Sequence, residues 1–152
     1  MSIQLVIFEL DGIEYGIDVT AVNGILRARK FNIQTLPGTD KSIEGMINLR
    51  GSVNYIFNLR TKFQLIERAI SDDSKFIMLN ANNSTIGCIV DEVTDIVKLN
   101  DEQMQPAPNF ISGGDDTYII GIGKLEDRMI IILDPEKIFL AEVATLQGAA
   151  NY

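Results

Sequence analysis

The stretch Gly45–Leu65, GMINLRGSVNYIFNLRTKFQL, decides how this chain is read. Met46 to Leu49 and Val53 to Phe57 are apolar, partly β-branched and aromatic runs, with Gly51-Ser52 between them. Such runs bounded by turn residues read as the two strands of a hairpin. The first strand ends on a long planar cation and a glycine, Asn48-Leu49-Arg50-Gly51. An arginine there can make bidentate hydrogen bonds or stack. It therefore anchors a partner, staples two subdomains, or packs over its own barrel edge paired with a local carboxylate such as Glu44. Arg60, in Asn58-Leu59-Arg60, reads as an exposed cap residue within an irregular or helical piece, Leu59 to Leu65.

Upstream, Ile3 to Leu10 is apolar on both alternating faces except at Gln4 and Glu9. That pattern predicts a strand covered on both sides. Asp11-Gly12 is a type I′ hairpin signal, and Ile13 to Ile17 is the return strand. Asp18 reads as a helix N-cap. Val19, Val22, Ile25 and Leu26 recur at helical spacing and predict a short helix, which Gly24 weakens by about 1 kcal/mol relative to Ala. Arg27 to Leu36 alternates loosely up to Pro37 and reads as a strand.

Downstream, Ile66 to Ser74 is polar and separates two halves. Lys75 to Asn80 and Thr85 to Val90 flank a hairpin turn at Asn82-Asn83-Ser84, and Val93 to Leu99 reads as a further strand. Pro106, Pro108 and Gly113 to Asp116 mark a long loop. Tyr118 to Leu125 and Met129 to Leu133 form a last hairpin. Asp134-Pro135 starts a C-terminal helix, Asp at N-cap and Pro at N1, whose apolar stripe is Ile138, Phe139, Val143 and Leu146. About ten short strands joined by tight turns read as all-β barrels with peripheral helices. The halves share a turn-rich pattern, without an evident repeat of fixed period.

The chain has 152 residues, which fits one domain or two very small ones sharing a core. Its net charge of −8 repels phosphate backbones and anionic lipid, so neither nucleic acid nor a polybasic membrane anchor is expected. Histidine is absent, which removes His-dependent nucleophilic catalysis and His-ligated metal sites. One cysteine, Cys88, allows no intrachain disulfide and no thiolate zinc cluster. The apolar run Ile3 to Leu10 is too short to span a bilayer and has no basic segment before it. These features read as a cytoplasmic protein without direct membrane insertion.

Little here carries reaction chemistry. Asp72-Asp73, Asp115-Asp116 and Asp91-Glu92 are paired carboxylates, but such runs are ordinarily solvated. Cys88 lies inside a predicted strand and reads as core packing. Gly121-Ile122-Gly123 lacks the third glycine and the helix of a dinucleotide fingerprint. No catalytic residue, metal ligand or cofactor is assigned. Small barrels leave edge strands that are either blunted or used for pairing, so the chain reads as an interaction module.

GMINLRGSVNYIFNLRTKFQL closely resembles the G-V-x-N-L-R-G-x-V-x-P-x-x-D-L-R-x-x-F-G-L segment of the CheW-like chemotaxis coupling family. FELDGIEYGIDVTAVNGI, IGCIVDEVTDIVKLNDEQMQPAP and YIIGIGKLEDRMIIILDPEKIF resemble its opening, middle and closing segments in the same order. The resemblance implies two SH3-like barrels of about five strands each within one domain, residues 1–152. One would come mainly from residues 20–66. The other would come mainly from 75–134 with the N-terminal hairpin. It implies a non-enzymatic adaptor without cofactor, whose partners are the regulatory domain of a CheA-type histidine kinase and the cytoplasmic tip of a chemoreceptor. By position it places Arg50, Asn48, Val22, Asn23 and Gly24 on the receptor side, the last three on a helical segment; the kinase side has no short motif to match and is nominated around Ile43, Met46 and Val53. The sequence departs from the family pattern at Gly24, where Glu is common, at Asn54-Tyr55 for a Val-Pro-like step, and at Asn58 for Asp.

Overall fold

A computed structural model describes residues 2–38, 41–81, 84–107, 118–139 and 143. Eleven strands are seen among them: β1 (Ser2–Leu10), β2 (Ile13–Asp18), β3 (Val22–Arg27), β4 (Ile43–Leu49), β5 (Ser52–Asn58), β6 (Lys75–Ala81), β7 (Ser84–Val90), β8 (Glu92–Asn100), β9 (Met104–Pro106), β10 (Ile119–Leu125) and β11 (Arg128–Leu133). A single-turn helix, α1 (Leu59–Lys62), follows β5. The strands form a six-stranded sheet, β8-β1-β2-β11-β10-β9, and a five-stranded sheet, β3-β6-β7-β5-β4.

The all-β, two-sheet reading therefore stands, with differences in detail. Among the described residues no ladder closes either sheet into a barrel. Each curls until its ends meet along the chain. β8 and β9 are separated only by the 3-10 turn Asp101–Gln103. In the other sheet Gln34, shortly after β3, exchanges two backbone hydrogen bonds with Met46 on β4, at 2.8 and 2.9 Å. Residues 75–90, expected in the second half, pair in the five-stranded sheet instead. The turn at 82–83, the loop at 108–117 and the part of the expected C-terminal helix beyond Phe139, Val143 excepted, lie outside the described residues, and 135–139 form turns.

The alternation of side chains along a strand distributes the apolar residues among three cores. On β1, Leu5 and Ile7 point into a core with Leu99, Ile130 and Ile132 inside the curl of the six-stranded sheet. Val6, Phe8 and Leu10 point the other way, into a core shared by both sheets with Phe57, Leu59, Ile77 and Cys88. Phe76, Met78 and Ile56 fill the curl of the five-stranded sheet with Ala28 and Ile47. A strand apolar on both faces is thus the requirement for sitting between two cores.

The two sheets repeat one topology, which the sequence pattern did not disclose. Every pairing of β4 with β5 recurs 76 residues later in β10 with β11: Ile43↔Phe57 and Ile119↔Leu133, Gly45↔Ile56 and Gly121↔Ile132, Leu49↔Ser52 and Leu125↔Arg128. A register shift precedes the glycine in both. Each β5-type strand then pairs in parallel with a second hairpin, β5 with β7 and β11 with β2. The N-terminal hairpin β1–β2 thus takes the part in one sheet that β6–β7 takes in the other. Gly45 and Gly121 are required alike, because a Cβ on either would overlap the carbonyl oxygen of Gln34 or Gln105. Gly45 also has φ 151°, in the region that favours glycine. Gly45→Ala is expected to lower stability by about 1–3 kcal/mol, read by thermal unfolding. Gly24→Ala is the control, since nothing lies within 4 Å of a Cβ there.

Candidate partner-binding site

The β4–β5 hairpin turns on Arg50-Gly51, one residue earlier than the sequence suggests, because Leu49 pairs with Ser52. Both turn residues have positive φ, 54° and 86°, the conformation that a two-residue type I′ turn demands. Asn48 Oδ1 accepts the Gly51 N–H at 2.9 Å and stabilises this turn. The Arg50 side chain is exposed. It has no hydrogen-bond or ion-pair partner among the described residues. Glu44, the local carboxylate that sequence reasoning offered it, accepts instead from Asn58 Nδ2 at 2.7 Å.

Val53, paired with Asn48 on this hairpin, is 60% exposed. Met46 is partly buried. Ile43 is buried in the shared core and presents no surface to a partner. Val22, Asn23 and Gly24 do not form a helix. Asp18 does accept an N–H, from Thr20 at 2.9 Å, but it caps only the 3-10 turn Val19–Ala21. The chain then enters β3, whose alternating exposure shows the period of a strand. β3 and β4 end the five-stranded order on opposite sides, so no ladder joins Val22–Gly24 to Asn48 and Arg50.

Between the sheets lies a groove of about 460 Å³. Ile3, Ile120 and Ala21 give it an apolar lining, and Asp18, Asn80 and Glu136 give it polar walls. None of the residues expected on the receptor side lines it, although Thr20 and Ala21 immediately precede Val22.

Sequence reasoning misplaced Arg60. It is 6% exposed, and its guanidinium grips the Asp91 carboxylate with both forks, Nε to Oδ1 at 2.8 Å and Nη2 to Oδ2 at 2.6 Å. Nη1 donates to the Ile66 carbonyl at 2.6 Å, and Nη2 lies 3.4 Å from Asp11 Oδ1. Asp91 also accepts the Asp11 backbone N–H at 3.0 Å. Burial alone would raise the pKa of Asp91. Hydrogen bonds from Arg60 and Asp11 and the charges of Arg60 and Arg68 outweigh burial and hold it below the ordinary carboxylate range. The signal that could have found this pair was the family pattern of a second Leu-Arg, not local spacing, since Asp91 is distant in sequence.

The other chemistry-bearing candidates resolve into structure. Asp72 pairs with Arg29 at the surface. Cys88 is fully buried, and burial pushes its thiol pKa far up, which suppresses the thiolate. Gly121 and Gly123 give close packing against Gln105 and Leu99 rather than a phosphate loop. Asp115 and Asp116 lie outside the described residues. Among the described residues no group of three His, Cys, Asp or Glu side chains could hold a metal ion.

Comparison with known proteins gives a coherent result. The family model of the CheW-like domain matches residues 4–143. A chemotaxis protein CheW from Klebsiella aerogenes is 35% identical over 144 residues, covering 94% of this chain and 85% of the relative. One from Bacillus subtilis is 33% identical over 131 residues, covering 86% and 83%. The crystal structure of the scaffolding protein TtCheW from Thermoanaerobacter tengcongensis superposes with a TM-score of 0.82 at 31% identity, covering 91% of this chain and 93% of that one.

Proposed function

Because the chain belongs to the CheW-like domain family, we propose that this chemotaxis scaffold couples the cytoplasmic tip of a chemoreceptor to the regulatory domain of a CheA-type histidine kinase, without catalysis of its own. Each curled sheet is read as one SH3-like barrel. The observation that carries the reading is Arg50: an exposed guanidinium on a hairpin tip, next to exposed Val53, with no hydrogen-bond or ion-pair partner among the described residues. In an acidic chain where Arg60 and Arg128 are held by carboxylates, such an arginine fits a partner surface. The receptor tip is read onto the Arg50 hairpin, which lies outside the inter-sheet groove, and the exposed Val53 suits an apolar patch on a like-folded kinase domain. Work at a receptor array places the chain in the cytoplasm. No helix among the described residues is long and apolar enough to cross a membrane.

Coupling requires that one partner change the affinity for the other, and that the effect be reciprocal. The test is calorimetric titration against a CheA regulatory domain and a receptor-tip fragment from the same cell, separately and together. Binding to both, with mutual enhancement, supports the reading. Binding to neither overturns it, and binding to the kinase domain alone removes the receptor half.

Gly24→Glu supplies a second prediction. The site is open, so the variant is expected to fold with wild-type stability. Restoring the acid common in the family should change affinity for the receptor fragment, and unchanged affinity would remove Gly24 from the receptor side.

A further inference from the structure

The repeated topology gives the molecule two equivalent clefts, lined by Asn58, Glu44 and Ile89 in one half and by Asp134, Ile120 and Asp18 in the other, and different residues stand beside them. Asn58 and Asp134 end β5-type and β11-type strands in the same way. Asn58 N–H donates to the Ser42 carbonyl at 2.6 Å and Asp134 N–H to the Tyr118 carbonyl at 2.8 Å. Each side chain then accepts the N–H two residues on, Arg60 at 2.8 Å and Glu136 at 2.9 Å. The two segments cross reciprocally. Phe63 stacks between Tyr15 and Tyr118 of the six-stranded half, with centroids 5.2 and 5.6 Å away. Phe139, its counterpart 76 residues on, meets Phe57 of the five-stranded half edge-on at 4.5 Å.

The two halves diverge at the residue that follows. Beside Asn58 and Leu59 the cleft receives Arg60, which closes on Asp91, Asp11 and the Ile66 carbonyl. Beside Asp134 and Pro135 the matching position is Glu136, which lines the second cleft together with Asp18. Asn80 of that cleft corresponds to Glu9 in the other half, because Asn80 pairs with Thr85 as Glu9 pairs with Glu14. The Glu9 carbonyl accepts the Asp91 N–H at 3.1 Å. The clasp thus ties α1, the β1–β2 turn and the β7–β8 junction together, across both sheets.

We propose that the Arg60–Asp91 clasp is a positioning pin: by tying the two sheets together it fixes the angle between them and so sets the width of the groove lined by Asp18, Asn80 and Glu136. The consequence for receptor docking rests on the function proposed above, but the pin itself does not. Interfaces of this kind change by rotation of packed bodies about a fixed contact. A planar fork held on three sides resists rotation where a single ammonium would not, so Arg60→Lys is the discriminating variant. It keeps the charge and loses the bidentate geometry.

The experiment uses the full chain alone, with residual dipolar couplings measured for backbone amides of both sheets. In the wild type one alignment tensor is expected to fit β1, β2, β10 and β11 together with β4 to β7. In Arg60→Lys each sheet is expected to remain internally unchanged while the two require different tensors. Exchange of the Asp11 and Asp91 amide protons should rise about tenfold, the change that loss of a charged hydrogen bond gives. Near-ultraviolet dichroism of Tyr15 and Tyr118 should change with it. One tensor fitting both sheets of the variant, as in the wild type, would overturn the proposal even if the melting temperature fell. Should Arg60→Lys fail to fold, Asp11→Asn loosens only the 3.4 Å arm and is expected to move both readouts in the same direction. No movement there would equally count against the pin. No partner enters this test, so its result is independent of whether the receptor reading stands.

Discussion

Arg60→Ala is expected to lower the stability of the fold by about 3–5 kcal/mol, the usual result of leaving one member of a buried ion pair without the other. The figure follows from geometry. The Arg60 and Asp91 side chains are 7% and 15% exposed, so water does little to replace the lost guanidinium. Two forked bonds, the bond to the Ile66 carbonyl and the contact with Asp11 vanish together. Domains of this kind are stable by about 5–15 kcal/mol in all, so the variant should unfold at a much lower urea concentration. Arg29→Ala is the contrast. Its pair with Asp72 is exposed on both sides, and removal should change stability by less than about 1 kcal/mol. Urea unfolding of both variants at neutral pH checks this, and a similar small loss for Arg60→Ala would show that the clasp contributes little.

The same clasp makes stability depend on pH. Asp91 has a lower pKa folded than unfolded, and so does Asp95, held by Arg128 and opposed by its own partial burial. Between the folded and unfolded values the unfolded chain binds more protons, so acid favours unfolding. The contribution is complete above the unfolded aspartate value of about 3.9 and fades as pH falls through the depressed folded values. Urea midpoints should therefore fall on acidification below about pH 4. The fall should be shallower in Asp91→Asn, which has already lost that linkage.

What was legible in the sequence was local. Asp11-Gly12 forms the turn its composition demands, with φ 56° and 80°, and the two-faced apolarity of β1 is what its place between two cores requires. Val22 to Arg27 misled because Val19, Val22, Ile25 and Leu26 satisfy a helical period. Read at period two, the same residues alternate exposed Asn23, Ile25 and Arg27 with covered neighbours, and pairing with β6 decides for the strand. The two Asn-Leu-Arg tripeptides are identical in sequence, yet one arginine is exposed and the other buried. The difference lies partly in the next residue, where Gly51 permits a tight turn and Thr61 continues into α1. It lies mainly in Asp91, which only the fold brings near. The 76-residue repeat escaped notice because side chains diverged while pairing geometry did not.

Arg50→Asn is expected to weaken receptor-fragment binding by about 2 kcal/mol or more, roughly thirtyfold in affinity, while leaving the fold as stable or slightly more so. Arg50 holds φ 54°, a left-handed conformation that costs a residue with an ordinary side chain roughly 1–2 kcal/mol and that asparagine tolerates better. Asn-Gly is the preferred pair for this turn, so stability alone would favour asparagine. The strain is carried by a side chain with no hydrogen-bond or ion-pair partner among the described residues. That combination points to an external contact. If Arg50 served the fold, the substitution would lower the melting temperature and leave binding untouched. If it serves a partner, the two measurements move apart: affinity falls and the melting temperature holds or rises. Arg50→Lys separates charge from shape, since lysine keeps the cation without the planar fork. Recovery of less than half the lost binding energy would assign the contact to bidentate recognition of a carboxylate or carbonyl pair on the receptor, and full recovery would assign it to charge alone.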